Sequence, residues 1–186
     1  MRFVDVTKHR FVIEPRYYFF GWSTSPKVLG RVSAVQALMK ARKLLPKEYN
    51  FKIWDCQRPR SVQLAMLNGF RRRFRVQFPR ASKAKVEEYV FMFGAKPLRT
   101  VTRLDTHRNG GSFDLTIIDR NGEELYMGTD HDDLTEKAAT DFYENKKKLS
   151  PREWEAKKNR LLLKRVLKKI GFLNYHREWW HWSWDK

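Results

Sequence analysis

Two short segments of the sequence carry the residue types that metal-dependent hydrolysis needs. One reads His107-Arg-Asn-Gly-Gly-Ser-Phe-Asp114 and the other Glu178-Trp-Trp-His181, so two histidines and two carboxylates stand in glycine-punctuated or strand-like settings. A catalytic zinc ion takes three protein ligands from imidazole nitrogen and carboxylate oxygen and keeps a fourth position for water. A carboxylate that is not a ligand must then accept the proton of that water. The two segments therefore indicate a hydrolytic metal centre.

The spacing of Glu178 and His181 requires an irregular backbone between them. Side chains alternate along a regular strand, so residues three apart point to opposite faces of the sheet. A bulge or a bend at Trp179 and Trp180 is needed to turn both groups toward one site.

Taken singly, each of these residues also has a purely structural interpretation. His107 and His181 can be hydrogen-bonded core groups, and the remaining histidines can lie at the surface (His9, His131 and His176). The tryptophans at 179, 180, 182 and 184 are more typical of half-buried sheet packing than of a platform for ligand stacking.

The elements that must position these groups follow from hydrophobic periodicity. Apolar residues at helical spacing predict helices over residues 33–45, 61–74 and 83–93. Alternation predicts a short strand at 51–53, a β-hairpin with strands 113–118 and 123–127, and a last strand over 175–184.

The clearest helix signal lies between Ser150 and Gly171. Ser150 is an N-cap, Pro151 occupies the first helical position, Glu153 completes a capping box, and Gly171 ends the run. We expect the buried side to consist of Trp154, Leu161, Leu162, Val166 and Ile170. The basic residues are expected to lie largely elsewhere (Lys157, Lys158, Arg160, Lys164 and Lys168).

Composition limits the kinds of protein that this chain can be. Its 186 residues, 41% of them hydrophobic, suit one compact domain, which we expect residues 1–186 to form. With Cys56 as the one cysteine, any metal must be held by histidine and carboxylate. No apolar run is long enough to span a bilayer, and the amino terminus lacks the order of a signal peptide. We expect a cytoplasmic protein, or a periplasmic one if a leader has been removed.

Four separated blocks of the chain share their order and spacing with a known family. They are Ile53-Trp-Asp-Cys-Gln-Arg-Pro59, His107 to Asp114, Met127-Gly-Thr-Asp-His-Asp132, and Asn159-Arg-Leu-Leu-Leu with Gly171-Phe and Glu178-Trp-Trp-His181. In them the chain resembles the D-Ala-D-Ala dipeptidases of the vancomycin-resistance type, a branch of the zinc DD-peptidase family related in fold to the Hedgehog signalling domain. The resemblance covers roughly residues 10 to 184. It implies an α+β fold with a central antiparallel sheet flanked by helices.

The resemblance implies a catalytic role for each residue that it aligns. One Zn²⁺ per chain would be bound by His107, Asp114 and His181. Glu178 would be the general base, and Arg58 would stabilise the oxyanion that forms at the scissile carbonyl.

The same resemblance implies a small D,D-dipeptide as the substrate. Asp132 would bind its free ammonium, and Tyr17 aligns with a tyrosine that assists near the amino terminus. Three positions depart from the family pattern: Asp105 replaces Ser, Gln57 replaces Tyr and Asn109 replaces Arg. They leave the metal ligands intact and therefore bear on selectivity. Asp105 would contact the substrate ammonium or orient a ligand histidine.

Two other functions stay open at this stage. A DD-carboxypeptidase or endopeptidase acting on longer cell-wall peptides would keep the same site, although an ammonium pocket at Asp132 opposes it. The net charge of +18 keeps open a basic binding module with a degenerate site, and it would attract anionic cell-wall polymer as a second partner. No helix-turn-helix, zinc-finger or RNA-binding motif is present, so we expect no specific nucleic acid. The oligomeric state is left open.

Overall fold

The computed structural model describes residues 2–97 and 106–186 as a mixed arrangement of helices and strands. The strands are β1 (Phe3–Asp5), β2 (Val12–Ile13), β3 (Leu29–Arg31), β4 (Asn50–Asp55), β5 (Ser112–Ile118), β6 (Leu173–Asn174) and β7 (His181–Ser183). The helices are α1 (Arg16–Phe19), α2 (Val32–Arg42), α3 (Arg60–Gln77), α4 (Lys83–Phe93), α5 (Phe142–Asn145) and α6 (Pro151–Ile170). Short 3-10 turns lie at Val6–His9 and Glu136–Ala138.

A five-stranded sheet in the order β2-β4-β5-β7-β6 forms the centre of the fold. Its neighbouring strands are antiparallel, except that β2 and β4 run parallel at one edge. All seven residues of β5 are buried, because strands flank it on both sides and helices cover the sheet. The predicted α+β class is confirmed, with one parallel pair in a sheet that is otherwise antiparallel.

The buried side chains form two clusters. The larger one joins the sheet to α2 and α6, and the smaller one joins α3 and α4 to Tyr17. The strand β4 connects them, because it ends in the loop that leads directly into α3. The helices predicted over 33–45, 61–74 and 83–93 are confirmed as α2, α3 and α4.

One predicted strand, over 123–127, is wrong, and another, over 175–184, is longer than the observed strand. After the turn at Gly122, the return segment forms an isolated bridge between Glu124 and Ile118 in place of a strand. The carbonyls of Tyr126 and Met127 bond to side chains of α6. The predicted strand over 175–184 is reduced to β7, because residues 175–180 form consecutive turns. In these turns the backbone N–H of Glu178 donates to the carbonyl of Tyr175, at 3.0 Å.

The helix α6 has the predicted ends but buries a different face. Ser150 and Glu153 form the capping box, and Gly171 ends the helix in the left-handed region at φ 105°. Trp154 and Leu161 are 52% and 36% exposed, so the predicted buried side is wrong in those positions. The buried residues are Ala156, Arg160, Leu163, Val166 and Leu167.

Arg160 explains the rotation of this face. Its guanidinium donates to the carbonyls of Met127 at 2.7 Å, Ala139 at 2.7 Å and Lys137 at 2.9 Å. Burial lowers the pKa of Arg160 to about 10, because the charged form loses contact with water. The helix thus turns a cation inward to hold the loop over residues 127–139.

Among the described residues, no helix has the length and apolar character needed to cross a bilayer.

Replacing Arg160 with methionine should lower the free energy of unfolding by about 3 kcal/mol, because three carbonyls lose their donors. Urea denaturation would measure the change, with Arg165→Met on the exposed side of the same helix as the matched control. Equal stability of the two variants would contradict a structural role for the buried guanidinium.

Candidate metal centre

A tight turn delivers His107 to the start of β5. The backbone N–H of Gly110 donates to the carbonyl of His107 at 2.9 Å, and that of Gly111 donates to Thr106 at 2.9 Å. Gly110 adopts φ +67°, a region that side chains rarely occupy. An added Cβ there would stand 2.6 Å from Phe3 Cε1 and 2.9 Å from the backbone N of Arg31. The turn therefore needs glycine for both its conformation and its packing.

The sheet register brings the other groups beside His107. Asp114 on β5 pairs with His181 on β7, and Asp55 on β4 pairs with Asp114 from the other side. A shift in register between Ile53 and Asp55 marks an irregularity in β4 at this point. Three adjacent strands thus place their polar side chains at one end of the sheet.

Three donor atoms form a closed triangle at this end. His107 Nε2 lies 3.3 Å from Asp114 Oδ1, His181 Nδ1 lies 3.2 Å from the same oxygen, and the two nitrogens are 3.1 Å apart. A tetrahedral zinc ion with ligands at about 2.0–2.1 Å keeps its donor atoms about 3.3 Å apart. The triangle therefore has the dimensions of a zinc-binding face.

Hydrogen bonds behind the two imidazoles favour the tautomers that a metal requires. His107 Nδ1 lies 2.7 Å from the carbonyl of Cys56, and His181 Nε2 lies 3.2 Å from Ser183 Oγ. A carbonyl can only accept, so Nδ1 of His107 carries the proton and Nε2 presents its lone pair. When Ser183 accepts a hydrogen bond from Nε2 of His181, that nitrogen carries the proton. Nδ1 of His181 then presents a lone pair.

The carboxylate of Asp114 provides the test of whether a metal fits. Asp114 is 2% exposed, and its Oδ2 accepts from Arg58 Nη2 at 2.8 Å. Its Oδ1 is buried and has no hydrogen-bond partner among the described residues. An unpartnered buried carboxylate oxygen is costly, and this one is the shared corner of the triangle. A divalent cation would supply the missing partner, so the residues fit the group.

Charge within the site shifts the pKa of each ligand. Burial lowers the pKa of His107, and so does Arg58, but Asp114 and Asp55 outweigh them and raise it to about 9. Burial lowers the pKa of His181. For Asp114, burial acts upward, yet the neighbouring histidines hold its pKa well below the usual range. Without a metal, Asp114 is therefore anionic and His107 holds a second proton on Nε2, which a metal ion would displace on binding.

Glu178 stands next to the triangle without belonging to it. Its Oε2 lies 3.7 Å from His181 Nδ1, and the turn at Trp179 and Trp180 supplies the bend that the sequence required. Burial raises the pKa of Glu178 well above its ordinary value, and Asp114 and Asp132 add to the increase. The arrangement gives a buried carboxylate with high proton affinity beside a potential metal.

Arg58 links the candidate ligands to α3. It donates through Nε to Asp55 Oδ2 at 2.8 Å, through Nη1 to Gln63 at 2.9 Å and through Nη2 to Asp114. Its Nη2 also lies 3.4 Å from His107 Nε2, which directs this edge of the guanidinium at the triangle. Burial acts to lower the pKa of Arg58, but the acidic groups around it raise it, so it is a fixed cation.

The remaining predicted residues lie close by, with one exception. Tyr17 is buried under the guanidinium of Arg58, with 4.8 Å between the ring centroid and Cζ. Asp132 follows His131 in the loop that α6 holds, and its buried Oδ2 has no partner among the described residues. Asp105 lies outside the described residues. Asn109 accepts from the backbone N–H of Gly111, so it supports the turn.

His131 is the residue that the sequence did not single out. The interpretation of His131 as a surface residue is wrong, because its side chain is 1% exposed. Its Nε2 lies 3.6 Å from Asp114 Oδ2, and its ring stacks on Trp54 at 4.8 Å. The adjacent Asp132, already assigned to the substrate by the resemblance, was the available signal.

Two cavities flank these elements. One of about 160 Å³ lies beside the centre and is lined in part by Tyr17, Trp54, Asp55 and Gln57. A wider one of about 550 Å³, lined in part by Lys164, Phe172 and His176, contains none of the candidate groups. The smaller cavity borders Tyr17, Asp55 and Gln57, and its lining contains none of the three donor residues His107, Asp114 and His181.

Comparisons with known proteins identify the family of the chain. A family model, Peptidase_M15, described as D-ala-D-ala dipeptidase, matches residues 22–186. A D-alanyl-D-alanine dipeptidase of Synechocystis sp. is 27% identical over 174 residues, which cover 86% of this chain and 70% of the relative. The resemblance that the sequence blocks indicated is confirmed. Tyr17 lies before the matched region.

Gly110→Ala should destabilise the protein more than Gly122→Ala does. Both glycines have positive φ, but a Cβ at Gly122 meets no atom of the described residues within 4 Å. We expect Gly122→Ala to cost about 1 kcal/mol for the conformation alone, and Gly110→Ala to cost about 2 kcal/mol more for the clash. Thermal or urea unfolding would measure both, and equal losses would show that the turn tolerates a side chain.

Proposed function

The chain belongs to the peptidase family described as D-ala-D-ala dipeptidase, and we propose that it hydrolyses D-Ala-D-Ala with one zinc ion. It is a metallopeptidase by that membership. The observation that carries the zinc proposal is the donor triangle of His107, Asp114 and His181 around an unpartnered carboxylate oxygen. We further propose that residues 1–186 form a single domain with this activity.

The three ligands leave one side of the triangle for reaction. When bound, zinc supplies Lewis acidity, which acidifies water and polarises the peptide carbonyl. His107 and His181 offer neutral nitrogens whose orientation is set by Cys56 and Ser183 behind them. Asp114 offers Oδ1 while Arg58 holds Oδ2.

Glu178 is the proposed general base. Its carboxylate is buried beside His181 but is not a corner of the triangle, so it is free to move a proton. It would accept the proton of the attacking water on Oε2 and return it to the leaving amine. Its raised pKa makes it a stronger base than an exposed glutamate, provided that it is ionised when substrate binds.

Arg58 is the proposed oxyanion stabiliser. Its Nη2 edge faces the triangle, and Asp55, Gln63 and Asp114 fix the guanidinium in place. A preorganised cation of this kind stabilises the charge that develops on the carbonyl oxygen without reorienting during the reaction.

The substrate contacts complete the proposal. Asp132 would accept the free ammonium of the dipeptide on its unpartnered Oδ2, and Tyr17 would line the same buried space. Asp105 stays a proposed contact because it lies outside the described residues. The burial of Tyr17 and of Asp132 Oδ2 favours a small substrate over a long peptide, which supports a dipeptidase rather than an endopeptidase.

Purified protein should release D-alanine from D-Ala-D-Ala, and chelation of the metal should abolish the release. Glu178→Gln should lower kcat by at least about 100-fold while zinc content stays at one per chain, because it removes the base alone. Glu123→Gln, at an exposed position, is the matched control and should leave activity unchanged.

His181→Ala should instead lose the zinc itself. Atomic absorption on the same preparations separates loss of metal from loss of base. If Glu178→Gln retains full activity, the base assignment is wrong. If wild-type protein carries zinc but releases no D-alanine, the dipeptide proposal is wrong.

The proposed ammonium contact predicts a preference for a free amino terminus. Wild-type protein should cleave D-Ala-D-Ala much faster than N-acetyl-D-Ala-D-Ala, and Asp132→Asn should lower kcat/KM for the free dipeptide by about 10- to 100-fold. Asp133→Asn removes the same charge from the same loop and serves as the control. Faster cleavage of the acetylated substrate would favour a carboxypeptidase instead.

A further inference from the structure

His131 is a buried histidine for which the proposed reaction has no use. The side chain is 1% exposed, and neither Nδ1 nor Nε2 has a hydrogen-bond partner among the described residues. A neutral imidazole carries one N–H and one lone pair, and leaving either unpaired in the interior is costly. Such a histidine can form a hydrogen bond that is absent when no ligand is bound.

The ring of His131 is fixed in its orientation. It stacks on Trp54 with centroids 4.8 Å apart and meets the edge of Trp180 at 5.5 Å, and Tyr17 lies 5.9 Å away. These rings prevent the imidazole from swinging out of the site. Its Nε2 therefore stays between two carboxylates, 3.6 Å from Asp114 Oδ2 and 3.6 Å from Asp132 Oδ1.

The two carboxylates are not equivalent partners for Nε2. Asp114 Oδ2 already accepts from Arg58 at 2.8 Å. The backbone of Asp132 is held in the left-handed region at φ 57°, with its carbonyl accepting from Arg73 Nη1 at 3.1 Å. Its side chain shows no hydrogen bond within the described part of the chain, and its Oδ2 is buried. Of the two carboxylates, Asp132 is therefore the one that lacks a donor, and an N–H on Nε2 can supply it.

We propose that His131 is a positioning residue for substrate recognition. Its Nε2–H would close on Oδ1 of Asp132 and leave Oδ2 directed at the free ammonium of the dipeptide. A separation of 3.6 Å is longer than a hydrogen bond, and contacts of this kind in unliganded sites tighten when substrate binds. The inference rests on the proposed function, because only a substrate with a free ammonium needs a fixed carboxylate at Asp132.

The proposal separates two contributions of the same ring. Stacking on Trp54 keeps the loop packed, which any flat aromatic group can do. Donation from Nε2 orients Asp132, which phenylalanine cannot do. His131→Phe keeps the first contribution and removes the second, whereas His131→Gln keeps a donor on a chain of similar reach. His176→Phe, at an exposed histidine, is the matched control.

Steady-state kinetics on D-Ala-D-Ala should give a split between the two constants. We expect His131→Phe to raise KM about tenfold and to change kcat by less than about threefold, with zinc content unchanged. His131→Gln and His176→Phe should stay within about threefold of wild type in both constants. In an Asp132→Asn background, His131→Phe should add less than about a twofold effect, since the group that it positions is already altered.

Calorimetry in a zinc-loaded Glu178→Gln background gives a readout that does not depend on hydrolysis. His131→Phe should weaken the binding of D-Ala-D-Ala about tenfold, and His176→Phe should not. Unchanged KM and Kd in His131→Phe, or effects of His131→Phe and Asp132→Asn that combine independently, would overturn the positioning role. Should His131→Phe fail to fold, His131→Gln and His131→Met replace it, because they differ in the donor and little in shape.

The same experiments distinguish this inference from the proposed function. If wild-type protein binds the dipeptide without cleaving it, the hydrolysis proposal is wrong and the binding comparison still decides the role of His131. If wild-type protein neither binds nor cleaves the dipeptide, both proposals are wrong. If it cleaves the dipeptide and His131→Phe matches wild type, only the role of His131 is wrong.

Discussion

The buried carboxylate of Asp114 is the constraint on which the site depends. An ionised carboxylate at 2% exposure is unfavourable by several kcal/mol unless charges and hydrogen bonds compensate it. Arg58 compensates one oxygen directly, and His107 and His181 stand at the other. Each partner is fixed by a further contact of its own, so the burial of one side chain determines the positions of the rest.

The sheet provides those positions through its register. Since β4, β5 and β7 are adjacent, Asp55, Asp114 and His181 reach the same end of the sheet although they are far apart in sequence. The turn before β5 adds His107, and the loop after β4 adds Arg58, whose backbone N–H donates to the carbonyl of His107 at 3.1 Å. Rigid strands therefore carry part of the site, and tight turns and a loop anchored to them carry the remainder.

The features that were predicted correctly from the sequence are those that depend on residues close together in the chain. The capping box of α6, the helices α2 to α4 and the bend required between Glu178 and His181 all depend on residues within a few positions of one another. The buried face of α6 and the burial of His131 depend instead on the loop over residues 127–139. This loop packs on α6 and contains His131. Arg160 faces inward because carbonyls of that loop lie there, and no periodicity within α6 contains this information. The prediction of a strand after Gly122 is wrong for the same reason, since the carbonyls of Tyr126 and Met127 bond to side chains of α6.

The charge balance of the site connects the base to the metal. The guanidinium of Arg58 donates to the carboxylates of Asp55 and Asp114, and those of Asp132 and Glu178 lie near enough to interact with its charge. In this surplus of negative charge, burial together with Asp114 and Asp132 raises the pKa of Glu178 well above its usual value. A positive charge close to a carboxylate favours its ionised form and so lowers its pKa. A divalent cation at the triangle would therefore oppose the shift in Glu178, and the metal and the proposed base would be coupled through their charges.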